Sequence, residues 1–145
     1  MPHMTECAPA ASARPIDAAI RPLVDNLNRL PGLTTTSSCQ GHADDRRPHV
    51  AFVCGEETLR LILAAITVLN SEETRQVRAY VEILDYGAGN VDVVLRFHHL
   101  MVRVKPTQAT VREWHRRIRV MNELVVGELE SRRLRDMDVR PAFRD

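Results

Sequence analysis

Apolar residues recur at helical spacing from Ile16 through Ala19, Ile20, Leu23, Val24 and Leu27 to Leu30, which predicts a first helix over 17–30 capped by Asp17. Pro22 lacks a backbone donor and delays the regular turns to about Arg21, and Pro31-Gly32 ends the run. Leu33 to Ser38 is β-branched and polar, as an extended segment requires, and His49 to Cys54 reads as a short buried strand. Between them, Cys39 to Pro48 has loop composition. Leu59, Ile62, Leu63, Ile66 and Leu69 then share one stripe of a helix from Glu56 to Asn70, and Leu61, Ala65 and Val68 widen it.

Val77, Ala79, Val81 and Ile83 alternate with Arg78, Tyr80 and Glu82, and the alternation resumes at Val91, Val93, Leu95 and Phe97 after Gly87-Ala88-Gly89-Asn90. That pattern is a β-hairpin, with glycine supplying positive φ in the turn. Leu100 to Val104 prolongs the second strand or forms a further one before Pro106. A capping box at Thr110 and Glu113 opens a long helix whose stripe of Val111, Trp114, Ile118, Met121, Val125 and Leu129 reaches about Arg135. The order α-β-β-α-β-β-α predicts an α+β fold, a small, mostly antiparallel sheet with helices packed on one face. Residues 16–135 form the single domain, 1–15 a disordered lead-in and 136–145 a tail.

Charge and composition narrow the function classes. Hydrophobic residues make up 44% of the chain and charged residues 27%, and no apolar run approaches a membrane span. We therefore expect a soluble protein with no membrane partner. The first fifteen residues lack the continuous apolar stretch of a secretory signal. Three cysteines, Cys7, Cys39 and Cys54, are an odd count without the density of a disulfide scaffold, which suits a cytoplasmic location. A net charge of +1 gives no global field for nucleic acid, so any such binding needs a local patch.

Chemistry concentrates in Thr34-Thr35-Thr36-Ser37-Ser38-Cys39-Gln40-Gly41-His42, where polar residues stand in place of the Val and Ile of a plain core strand. Hydroxyls at Thr36, Ser37 and Ser38 line a polar pocket or bind an anion with neighbouring N–H groups. Cys39 reads as a thiolate nucleophile beside His42, as a zinc ligand, or as a pocket-lining residue, and the last is the reading adopted. Cys39, His42, His49 and Cys54 are zinc-ligand types, but strand alternation puts His49 and Cys54 on opposite faces, so no zinc site is expected from that set. Arg112, Arg116 and Arg119 follow one face of the last helix, with Arg117 beside them, and this face can meet phosphates or solvent. Ile83 to Asn90 is similar to the glycine-rich motif of nucleotide-fold methyltransferases and to the opening of class I glutamine amidotransferases. A strand follows it here, not the helix whose N–H groups would hold a phosphate.

Asn28-Arg-Leu-Pro31 followed by Thr35-Thr36-Ser37-Ser38-Cys39-Gln40-Gly41-His42 resembles the tRNA wybutosine-synthesising protein 3 family, as does Arg96-Phe-His-His-Leu-Met-Val102 further on. Asn122-Glu123 and Arg132-Arg133-Leu134 are similar to the family's last helix. His42 stands where the motif has arginine, Met101 where it has an acidic residue, and the chain is shorter between Gly41 and His49. The resemblance implies methyl transfer from S-adenosylmethionine to a guanine-derived base of tRNA or a related nucleotide. Cys39, His42 and His98 would be the catalytic group, with His99 the alternative to His98. Ser37, Ser38 and Gly41 would hold the cofactor; Arg96, His99, Arg112 and Arg116 would meet the nucleic acid. The alternatives are a small-ligand or RNA-binding domain, paired with a second copy through the last helix, and a Cys/His metal-binding protein.

Overall fold

The computed structural model describes residues 16–43, 46–71, 77–87, 89–99 and 106–142. Among them the chain forms α1 (Arg21–Leu27), β1 (Thr34–Cys39), β2 (His49–Cys54), α2 (Glu56–Asn70), β3 (Val77–Tyr86), β4 (Val91–His99) and α3 (Gln108–Ala142). The four strands make one antiparallel sheet in the order β1-β2-β4-β3. This is the α+β fold that the pattern of apolar positions predicts.

Alternation in the strands decides which face is covered. Val50, Phe52 and Cys54 of β2 pair with Leu95, Val93 and Val91 of β4, and all six are buried. They meet Leu23, Val24 and Leu27 of α1, Leu59, Ile62 and Leu69 of α2, and Trp114, Ile118, Met121 and Val125 of α3 in one core. Each fully buried Leu, Ile or Phe of this set contributes about 1.5–3 kcal/mol relative to its exposed state. On the opposite face His49, Ala51 and Val53 alternate with that set and are half-buried.

Several boundaries differ from the sequence expectation for identifiable reasons. α1 begins at Arg21 because Pro22 fits only the first turn, and Asp17 serves as a backbone acceptor: its carbonyl takes the N–H groups of Ile20 and Arg21. The capping box of α3 is one turn earlier than predicted. Thr107 Oγ1 accepts the Thr110 N–H, and the Thr107 N–H reaches Thr110 Oγ1, so Thr107 and Thr110 cap each other and Glu113 is freed to pair with Arg116. α3 also runs on to Ala142, through the segment read as a tail. The lead-in and the Leu100 to Val104 segment lie outside the described residues.

The hairpin is as predicted: Gly87 N–H donates to the Asn90 carbonyl, and Gly89 adopts a φ of 83°. The outer edge of β3 is partly closed by a side chain. Asn70, at the end of α2, donates through Nδ2 to the Ala79 carbonyl and accepts the Ala79 N–H at Oδ1, at 2.9 and 3.0 Å. Arg117 reaches back from α3 to the other end of that junction, where its Nη2 donates to the Leu69 carbonyl at 2.7 Å. No helix among the described residues is long and apolar enough to cross a membrane.

Candidate functional site

The polar segment forms β1 and the loop that leaves it. Its register against β2 slips between Thr35 and Ser37, leaving Thr36 as a bulge residue. After the bulge Ser37 faces Ala51, Ser38 faces Val50 and Cys39 faces His49. Ser38 therefore turns to the core side, where its hydroxyl is buried with no hydrogen-bond partner among the described residues.

Two reciprocal hydrogen bonds fasten the loop to the start of α1. The Gln40 N–H donates to Asp17 Oδ2 at 3.3 Å, and the Ala19 N–H donates to Gln40 Oε1 at 2.8 Å. His42 Nε2 lies 3.4 Å from the same Asp17 oxygen, without hydrogen-bond alignment. One ligating atom each from Asp17, Cys39 and His42 lies within 4.8 Å of the others. The expected closeness of Cys39 and His42 is thus observed, with Asp17 as a third member that periodicity had marked only as a helix cap. Cys39 is fully buried and its sulfur is engaged in a disulfide, so in this state it is not a thiolate nucleophile.

Gly41 makes the close packing of this loop possible. Its φ is +90°, and a Cβ there would meet Trp114 Cε3 at 2.7 Å and the Pro48 ring at 2.9 Å. His115, next to Trp114 on α3, completes the surroundings. Burial holds its imidazole below the usual range, against the opposing pull of the Gly41 and Gln40 backbone, and the nearby His42 and Arg119 add to the lowering. Sequence reading missed His115 because it sits one position off the apolar stripe, among arginines.

Arg96, His98 and His49 belong to the open face of the sheet. The register row Cys39, His49, Arg96, Tyr80 crosses all four strands, and His98 opposite Arg78 starts the next. Glu82 accepts a hydrogen bond from Arg96 Nε. Arg47 contacts His98 Nδ1; a guanidinium only donates, so Nδ1 accepts and a neutral ring carries its proton on Nε2. Burial pushes the His49 imidazole down, the Arg47 backbone pulls it up, and the Arg96 charge lowers it again. β2 stands between Cys39 and His98, so the three residues assigned to catalysis split into Cys39 with His42 at the end of β1, and His98 two strands away. The backbone of His99 pairs with Val77; its side chain lies outside the described residues.

Arg112 is exposed and Arg116 pairs with Glu113 at 3.0 Å, both on the helical layer, across the sheet from Arg96. Of the residues assigned to the nucleic acid, Arg96 therefore does not share a surface with Arg112 and Arg116. Of the residues assigned to S-adenosylmethionine, Ser37 lies opposite Ala51, Ser38 faces the core, and Trp114 and Pro48 pack against Gly41. A groove of about 190 Å³ between α1 and α3 is lined by Ala19, Pro22, Leu23, Ile118, Arg119, Asn122 and Glu123, none of them in the motif. It is below the roughly 300–1,000 Å³ of ordinary cofactor pockets.

Comparison with protein-family models, curated proteins and solved structures finds no match to this chain. The resemblance of the Asn28 to His42 segment accordingly rests on its own residues. Here the structure adds one relationship: Asn28 donates to Thr35 Oγ1 and accepts the Thr35 N–H, both at 2.9 Å, tying the two parts of the motif together.

Proposed function

We propose that this protein binds a nucleotide segment of RNA on the open face of its sheet. The observation that carries the reading is the grouping of Arg47, Arg78, Arg96, His49 and His98 on that face, with Tyr80 in register beside Arg96 and 43% exposed. Guanidinium groups suit phosphate oxygens, and an exposed tyrosine ring on a strand gives a base a surface to stack on. The near-neutral chain meets the requirement for a local patch through this face, while Glu82 holds Arg96 in place across the strands.

Fluorescence anisotropy with unmodified tRNA and with a single-stranded RNA of mixed sequence tests it. Arg96→Ala and Arg47→Ala should each weaken binding and lower the salt slope by about one. Binding that neither variant weakens would remove this face from consideration.

Methyl transfer to a base is the second reading, favoured by the position of the Asp17 and His42 pair at the end of the same row. In it S-adenosylmethionine would supply the methyl group, and the chain would hold the base and its proton. Incubation with radiolabelled S-adenosylmethionine and RNA separates the two: label in RNA supports transfer, and binding without label supports the binding domain.

A further inference from the structure

Half of the large apolar and aromatic side chains exposed among the described residues lie on β3: Tyr80, Ile83, Leu84 and Tyr86, against Leu63, Val68, Val126 and Leu134 elsewhere. β3 is also an edge strand of the sheet. We propose that its stretch from Val81 to Tyr86 docks an extended segment of another protein. That segment alternates Lys or Arg with apolar side chains and joins the sheet through backbone hydrogen bonds. The proposal is independent of the RNA-binding reading.

Asn70 takes both the N–H and the carbonyl of Ala79, so these two groups point away from β4. In an antiparallel ladder that direction recurs at every second residue, and Val81 and Ile83 therefore aim their N–H and carbonyl groups outward as well. The side chains follow the same alternation. Ile83 stands opposite Val93 and Tyr86 opposite Val91, on the face that the helices cover. Val93 and Val91 are buried, yet Ile83 is 42% and Tyr86 62% exposed, so the covered face is left bare at this end of β3. On the other face Glu82, and Asp85 opposite Asp92, give the same stretch a row of carboxylates. Leu84 is the extra residue of a bulge between Ile83 and Asp85.

Charge selects the occupant. A second copy pairing through this stretch would set Glu82 and Asp85 against the same acids of the other copy, and like charges directly opposite are destabilising. Basic residues of a foreign strand meet those carboxylates instead, and the apolar residues between them fall on Val81, Ile83 and Tyr86.

The probe is a synthetic heptapeptide, acetyl-Lys-Val-Lys-Ile-Lys-Val-Lys-amide. Titrated into full-length, isotope-labelled protein, it should slow amide hydrogen exchange at Val81 and Ile83. Replacing each of its lysines by glutamate, or N-methylating its backbone, should abolish that protection. Asp85→Asn should weaken binding by up to about fivefold, the worth of one opposite-charge pair across strands. Ile83→Ser should weaken it by about fivefold through lost apolar contact, and Leu63→Ser, on α2, should leave it unchanged. The proposal is overturned by no binding, by protection that spares Val81 and Ile83, by equal binding of the glutamate or N-methylated peptide, by unchanged affinity in Asp85→Asn and Ile83→Ser, or by an equal loss in Leu63→Ser. Protection of the two amides without peptide, together with a dimer mass in sedimentation, would give the edge to a second copy and overturn it too.

Discussion

Asp17 and His42 are 25 positions apart in the chain and 3.4 Å apart in space, joined at an oxygen that also accepts the Gln40 N–H. This contact attaches the loop after β1 to the lead-in of α1. Asp17→Ala leaves the Gln40 amide without that acceptor and should cost about 1 kcal/mol, read as a lower urea midpoint at unchanged slope. An unchanged midpoint would mean that water replaces the carboxylate at no cost.

Glycine positions give a contrasting series. Gly41→Ala adds a left-handed backbone penalty to a clash with Trp114 and Pro48, and about 2–4 kcal/mol of destabilisation is expected. Gly127, in α3, has open space at its Cβ position, so Gly127→Ala should stabilise by about 0.5–1 kcal/mol. Thermal denaturation of the two variants should move in opposite directions.

Acid should destabilise the fold through its histidines. Burial lowers the His49 and His115 imidazoles below their ordinary value, so the unfolded chain takes up protons first as pH falls past about 6.5. In that window the unfolded state binds more protons, and stability therefore drops with falling pH; above the window these groups add no slope. Denaturation midpoints measured between about pH 7 and pH 5 should decline, and His115→Gln should flatten part of the decline. A steeper decline in that variant would contradict this account.

The arginines of α3 should separate sharply. Arg117 is 4% exposed and caps the end of α2 at the Leu69 carbonyl, where the helix dipole favours a cation. Arg117→Met should cost about 2–3 kcal/mol, while Arg112→Met, at an exposed position, should stay within about 0.5 kcal/mol. Equal effects in chemical denaturation would show that the capping contact contributes little.

The elements were legible where periodicity is long and unambiguous. β2, α2 and the β3–β4 hairpin follow directly from spacing, because burial on one face leaves a mark at every second or every third and fourth residue. Helix ends were less legible: at α3 both Thr107 and Thr110 are cap-forming residues, and only the hydrogen bonds decide between them. The polar run before Cys39 marked the right loop, but its partners did not carry a periodic signal. Asp17 arrives from a turn and His115 from the flank of an apolar stripe, and long-range contacts of that kind are set by packing. Pro22 was the available clue to Asp17, since a helix delayed to Arg21 leaves that carboxylate without a capping task.

Asn70 gives the sheet its width. An amide side chain presents a donor and an acceptor much as a peptide unit does, and here it occupies Ala79 as one residue of a fifth strand would. Further along β3, Ile83, Leu84 and Tyr86 are exposed. The molecule thus carries its own template block at Ala79, one position of a ten-residue edge, and the block is a single amide side chain outside the apolar core.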